Sequence, residues 1–465
     1  MDYLRMTLSA ILIFTSTCAR AALPTTVVEE LRVANIPLSG VGVVVQEVDK
    51  KTPLIGINAD KAMNPASVMK LITSYAALEL LGPAYTWRTQ SYASAPIING
   101  VMNGDLYIKG SGDPKLTQEQ FWLLLRQLRG RGLREIKGDL VLDHSAFSAI
   151  TQDAAFDDKP QRPYNVVPDA LLLNFKALRL TVIPQMDMHV LLIAEPSLTD
   201  LEISNLIKTT SGECDEWKDG LRIEESTRNG RYRLALSGSY PLSCGEQVWS
   251  IGVLPHRDYV GAVFRDLWRE LGGTFSGAVY DGVVPANATT LAAIESPALS
   301  EIVRDMNKYS NNVMARQLFL TLAQDTPATT QGAITTVSSW LVNKKLDFPE
   351  LVLDNGSGLS RRERISAQSL TRLLQSIATS PLQPELVASL PLTAVDGTMK
   401  KRLKQDGVAG RAHIKTGTLD GVKTMAGYVQ DKSGREMIVV FLVNHANAQR
   451  AQAAQDALLR WVYQR

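Results

Sequence analysis

Between about residue 84 and residue 285 the chain changes character, and that change limits what it can fold into. Before it, Gly40–Val48 (GVGVVVQEV) is rich in β-branched residues, and Leu54–Asn58 (LIGIN) follows a turn at Asp49-Lys50-Lys51, so the two runs read as a hairpin. A helical stretch then runs from Ser67 to Leu81 and stops at Gly82-Pro83. After it, helical patterns return over 297–324 and 366–379. Lys423–Gln430 and Glu436–Asn444 read as a second hairpin around Asp431-Lys432-Ser433-Gly434. The last stretch, Ala446 to Tyr463, is helix-forming, and Ala454, Leu458, Leu459 and Val462 fall on one face that can pack on that hairpin. The middle region instead holds short strand-like runs at 106–109, 140–143, 178–184, 190–194 and 232–237. One helix interrupts them, opened by a capping box of Thr117 and Gln120. The reading is an α/β body split by β-rich inserted modules.

With 465 residues there is room for two or three domains. A formal net charge of +2 gives no global field for nucleic acid or an anionic membrane. The start of the chain reads as a cleavable export signal. Arg5 precedes the apolar run Met6–Phe14, which is too short for a bilayer span of about 20 residues. Ala19-Arg20-Ala21 then supplies a small-residue cleavage site, giving a signal over 1–21. Cys18 raises a lipoprotein alternative, but Thr15 stands where such a signal usually has Leu. Beyond that point two cysteines remain, Cys214 and Cys244, an even number that suits one disulfide in an exported chain or two buried thiols. No two of the five histidines have metal-ligand spacing, so no metal is expected.

Three short motifs carry chemistry. In Ser67-Val68-Met69-Lys70, hydroxyl and amine lie one helical turn apart at a helix start. A serine needs a base to become a nucleophile, and a lysine can be that base when burial and nearby cations lower its pKa. Alone, the pair reads equally well as an N-cap serine and a surface lysine. Ser310-Asn311-Asn312 interrupts a helical pattern. It offers a second hydroxyl and an amide that can bind a carbonyl, or it is only a polar helix end. Lys415-Thr416-Gly417-Thr418 follows a strand-like alternation. On an edge strand it would present a cation, hydroxyls and unpaired backbone groups to an extended anionic peptide; otherwise it is a turn.

Together, in the order S-x-x-K, S-x-N, K-T-G, the motifs match the set known from β-lactamases and penicillin-binding proteins. The long interval from Ser67 to Ser310 departs from β-lactamases. The chain resembles the class C low-molecular-mass penicillin-binding proteins, the D-Ala-D-Ala carboxypeptidase/endopeptidase family, which carry a large insertion there. Asp354-Asn355-Gly356-Ser357-Gly358-Leu359-Ser360-Arg361 resembles that family's D-G-S-G-L-S-R with one Asn added. Gly110-Ser111-Gly112-Asp113-Pro114 and the segment from Leu390 to Thr398 also resemble family segments.

The resemblance implies a transpeptidase-like catalytic domain over 22–83 and 286–465, an inserted domain II over 84–165 and 250–285, and a nested domain III over 166–249. It implies Ser67 as the acylated nucleophile, Lys70 as base, Ser310 as proton shuttle and Asn312 as amide binder. Lys415, Thr416, Gly417 and Thr418 would form the strand that holds the peptide's terminal carboxylate, with the Ser67 and Thr418 N–H groups as oxyanion hole. Arg361, Tyr164 and Asp157 or Asp158 match contributors to a pocket that, in some relatives, reads the charged end of meso-diaminopimelate. Asp420 stands where some of those relatives carry Gln.

The expected partners are peptidoglycan peptides ending in D-Ala-D-Ala or cross-linked, and β-lactams, with no cofactor, no nucleic acid and no stable membrane span. The expected location is the periplasm, with at most a loose membrane association. Two alternatives stand beside this reading. A β-lactamase or esterase of the same fold would need a deacylating base, and no carboxylate motif for one is recognisable. A non-catalytic peptidoglycan-binding protein would have no reason to keep both Ser67 and Lys70.

Overall fold

The computed structural model describes residues 22–149, 156, 157, 159–228 and 231–465. The expected signal over 1–21 and the candidate Asp158 therefore lie outside the described residues.

The two ends of the chain meet in one five-stranded antiparallel sheet, ordered Ala412–Leu419, Val422–Gln430, Glu436–Asn444, Val41–Glu47, Ile55–Ile57. Val41 pairs with Val443 and Glu47 with Met437, so an early strand lies beside a very late one and everything between them is looped out. Strand alternation explains why these runs are apolar at nearly every position. Val41, Val43, Val45, Val439, Phe441 and Val443 face one core, shared with the helices Thr25–Val33 and Gln452–Tyr463. Val44, Ile438, Val440 and Leu442 face the other, shared with the helices Lys70–Leu81, Leu299–Lys308 and Ala367–Ala378. A sheet covered on both faces has no polar side. The C-terminal helix packs as its pattern predicts, with Ala454, Leu458, Leu459 and Val462 all buried.

Residues between 88 and 295 build four further sheets. One, ordered Val279–Asp281, Leu140–Asp143, Leu106–Lys109, Arg88–Ala93, Thr289–Glu295, runs past residue 285 because Thr289–Glu295 pairs with Arg88–Ala93. Two three-stranded sheets lie wholly within 177–252. Cys214 and Cys244 are disulfide-bonded there, with Cα atoms 4.8 Å apart. The Thr117 hydroxyl accepts from the Gln120 N–H and caps the Gln118–Gly130 helix, which buries Phe121, Leu124, Leu125 and Leu128. Among the described residues, no helix is long and apolar enough to cross a membrane.

Candidate active site

Residues 64–70 form the floor of the site. The α-helix proper begins at Lys70, three residues later than the sequence pattern predicts, and Ser67 lies in a 3-10 turn over Ala66–Met69. The delay has a local cause: Ala66 sits at φ +45°, a left-handed conformation that an L-residue holds only when its surroundings impose it. The Asn64 carboxamide oxygen accepts from the Ala66 N–H at 2.8 Å, while its nitrogen donates to the Ser360 carbonyl at 2.8 Å. Asn444 exchanges two hydrogen bonds with the Asn64 backbone, and the Thr424 hydroxyl donates to the Pro65 carbonyl at 2.7 Å. Two glycines close on the same turn. A Cβ at Gly358, itself at φ +83°, would overlap the Ala66 carbonyl and the Ser67 nitrogen. One at Gly417 would crowd the Ser67 nitrogen and the Pro65 carbonyl. Larger residues at either position would push Ser67 out of place.

Lys70 is fully buried beside it. Its Nζ lies 3.0 Å from Ser67 Oγ, 2.6 Å from Asn312 Oδ1 and 2.5 Å from the Ser357 carbonyl oxygen. All three partners are neutral. Burial pushes the amine well below the usual lysine range, the cations Lys415 and Arg316 push the same way, and Glu363 alone pulls it back.

The second motif sits where the sequence places it, between the helices Leu299–Lys308 and Asn312–Thr321. Asn311 caps the second helix by accepting from the Met314 N–H at 3.0 Å. Ser310 bridges the two at φ +56°, another held left-handed residue, and its Oγ accepts from Lys415 Nζ at 2.8 Å. One turn beyond Asn312, the half-buried Arg316 donates to the Tyr164 and Val166 carbonyls, so this helix also grips the inserted chain. Burial lowers its pKa to about 10.

The third motif lies on the edge strand Ala412–Leu419. Pro391–Thr393 covers the strand's start: the Ile414 N–H donates to the Pro391 carbonyl, and that of Thr393 to the Ala412 carbonyl. By strand alternation, the Thr416 and Thr418 backbone groups face the same outer side as those of Ile414, away from the paired strand. Lys415 is fully buried, also donates to the Thr416 carbonyl at 2.9 Å, and is pushed down to about 7 by burial. The Thr416 hydroxyl meets that of Thr398 at 2.7 Å, while Thr418 is exposed.

The Lys70 amine thus joins Ser67 and Asn312 by side-chain hydrogen bonds, Lys415 joins Ser310 by another, and the two groups are close enough for the Lys415 charge to act on Lys70. The remaining candidates gather past the Thr418 end of the strand. Arg361 donates to the Asp420 carbonyl at 3.0 Å and stacks on Phe156 at 4.6 Å. Phe156 packs with Ala66, Leu359, Leu419 and Val422. Its neighbour Asp157 accepts from the Tyr164 hydroxyl and, at 2.7 Å, from Asn165.

Phe156, Arg316 and Glu363 join the site without having been singled out in the sequence, and Ser357 and Thr398 were read only as parts of longer segments. A carbonyl leaves no side-chain signature, and Arg316 reads as an ordinary helix residue. Glu363 is visible only as one acid among Arg361, Arg362 and Arg364. Among the described residues, no group of His, Cys, Asp or Glu could hold a metal ion.

A family model described as the D-Ala-D-Ala carboxypeptidase 3 (S13) family matches residues 26–465. A D-alanyl-D-alanine carboxypeptidase of Actinomadura sp. (strain R39) is 30% identical over 439 residues, which cover 90% of this chain and 80% of that protein. The D-alanyl-D-alanine carboxypeptidase DacB of Haemophilus influenzae is 26% identical over 417 residues, covering 87% and 85%. The crystal structure of penicillin binding protein 4 from Haemophilus influenzae superposes with a TM-score of 0.79 at 24% identity, covering 94% of this chain and 99% of that one. A predatory endopeptidase from Bdellovibrio bacteriovorus gives a TM-score of 0.53 at 17% identity, covering 90% of each chain. At these identities the two solved structures speak to the fold alone.

Proposed function

Since the chain belongs to the D-Ala-D-Ala carboxypeptidase 3 (S13) family, we propose that it hydrolyses peptidoglycan peptides, as carboxypeptidase and DD-endopeptidase, through an acyl-enzyme on Ser67. The observation that carries this reading is the buried Lys70 amine 3.0 Å from Ser67 Oγ. An amine whose neutral form is favoured, in hydrogen-bond reach of a hydroxyl, can take its proton.

In the proposed reaction Ser67 Oγ attacks the carbonyl of the penultimate D-Ala as its proton passes to Lys70. The negative charge that develops on the carbonyl oxygen is met by the N–H groups of Ser67 and Thr418. Asn312 binds the peptide amide. Ser310, bonded to Lys415, delivers a proton to the departing amine. The C–N bond breaks, D-Ala leaves, and water hydrolyses the ester with Lys70 again as base. A β-lactam enters the same first step, but its amine remains tethered.

Lys415 has a second task here. Its low pKa reflects burial, and a substrate carboxylate beside it favours the ammonium form. Binding and protonation of Lys415 are then linked, which selects a peptide with a free terminal carboxylate. Beyond the cleft, Arg361 offers a cation and Asp157 an anion, a pair suited to the zwitterionic end of a diaminopimelate side chain. Export to the periplasm through a signal over 1–21 belongs to the same reading. Incubating purified cell-wall fragments with the protein and identifying the products by mass spectrometry tests it. Loss of one D-Ala, or cutting of cross-links, is expected; products identical to the starting fragments would overturn the proposal.

A further inference from the structure

Glu363 lies at the centre of the loop behind Lys70 and is not used in the reaction above. Its side chain is completely buried. Oε1 accepts from three consecutive backbone N–H groups, those of Asp354 at 3.3 Å, Asn355 at 3.1 Å and Gly356 at 3.0 Å. Oε2 is buried and has no hydrogen-bond partner among the described residues. The loop so gathered is bound to the nucleophile's helix at two points: Thr73 donates to the Gly356 carbonyl at 2.6 Å, and Lys70 to the Ser357 carbonyl at 2.5 Å. Gly358 packs on the Ser67 turn. A carboxylate is an unusual choice for holding a buried turn, because a neutral acceptor would avoid the desolvation of a charge.

We propose that Glu363 is a positioning residue for the base: its carboxylate gathers the 354–356 backbone so that the Ser357 carbonyl meets the Lys70 amine, and it sets a negative charge behind that amine. This deepens the Ser67 acyl-enzyme reading and rests on it. The charges acting on Lys70 are Lys415 and Arg316, which lower its basicity, and Glu363, which raises it. The charge acting on Glu363 itself is Asp354, which is paired with Arg362. Arg364 is turned to the Arg361 and Glu363 carbonyls. Burial brings the Glu363 carboxyl up to about 7, so its charge acts on Lys70 from about that pH upwards.

The test is the pH dependence of acylation by a fluorescent penicillin in wild type, Glu363→Gln and Glu363→Asp. The Gln variant keeps an acceptor for the three N–H groups and loses the charge. Read from about pH 7 upwards, where the wild-type carboxylate is charged, its acid limb is expected to move to lower pH by roughly half a unit to one unit. A midpoint that stays in place in the folded Gln variant overturns the proposal, since a purely structural role would not move it. The Asp variant keeps the charge but is one methylene short. Its acid limb should stay near that of wild type while its acylation rate falls at least several-fold, and wild-type rates in it would also overturn the proposal. If Glu363→Gln does not fold, the Asp variant decides alone. Absence of acylation in wild type would instead strike the Ser67 reading itself.

Discussion

Lys415 Nζ donates to Ser310 Oγ at 2.8 Å, which joins the second and third motifs in one contact and places a buried cation at the open edge of the sheet. Replacing Lys415 by Ala removes the carboxylate's partner and leaves the Ser310 hydroxyl without its donor. Hydrolysis of a peptide with a free terminal carboxylate should fall by about 10²-fold or more, as for loss of a charged hydrogen bond with its partner left behind. An uncharged ester should lose much less. Equal losses in kcat/KM for the two substrates would remove the anion-binding role.

The same residue makes stability depend on pH. Its folded pKa, about 7, lies below the unfolded value near 10.5, so between those values the unfolded chain holds the extra proton. Stability from this group is therefore lost as pH falls towards 7 and recovered as pH rises, by up to about 1.4 kcal/mol per pH unit for one proton. Urea unfolding of wild type and Lys415→Ala between pH 7 and pH 10 checks this. The difference between their slopes should have that sign, and parallel curves would contradict it.

Lys70→Ala should leave the fold intact and slow acylation by about 10²–10⁴-fold, the usual worth of a positioned base. Rate measurements with a chromogenic cephalosporin at neutral pH read this directly. Near-wild-type acylation would show that another group deprotonates Ser67.

Much of the site was legible because its residues sit where elements begin or end. Ser67-x-x-Lys70 leads into a helix, Ser310-Asn311-Asn312 splits one, and Lys415-Thr416-Gly417 lies on an edge strand, so each stood out as a candidate although alone each also read as a cap, a helix end or a turn. The resemblance to the penicillin-binding family supplied their grouping, and the family match bears that resemblance out. Three features were hidden for physical reasons. The helix starts at Lys70 and not at Ser67 because Asn64, held in turn by Asn444 and joined by Thr424 from far along the chain, imposes a left-handed Ala66. The burial of Glu363 and the contacts of Arg316 have no local signature, since charged residues on a loop or helix read as solvated. Phe156, far away in sequence, packs on Ala66 next to Ser67, which only tertiary packing reveals. The helices Thr25–Val33 and His256–Glu270 were also absent from the sequence reading.

Gly358→Ala should be disruptive although it adds one methyl group. The position has φ +83°, and the new Cβ would strike the Ala66 carbonyl and the Ser67 nitrogen. A loss of about 1–3 kcal/mol in stability is expected from the strain alone. Acylation should slow by at least about tenfold as the nucleophile is displaced, since small misplacements of reacting groups are costly. Thermal unfolding and labelling kinetics of the variant report the two effects separately.

The disulfide offers the converse case. Cys214 and Cys244 are 30 residues apart, and loop-closure entropy gives their bond about 3–4 kcal/mol. Cys214→Ser with Cys244→Ser should lower the denaturation midpoint while penicillin labelling of the folded protein is unchanged, because neither residue contacts the cleft. Loss of labelling in the folded variant would tie the inserted sheets to catalysis.

The account turns on one covalent bond. Intact-mass and peptide-mapping mass spectrometry after incubation with benzylpenicillin measures it most directly. A single adduct of the antibiotic's mass on the peptide containing Ser67, absent from Ser67→Ala, is the expected result. An adduct on another residue, or one that persists in Ser67→Ala, would contradict the mechanism.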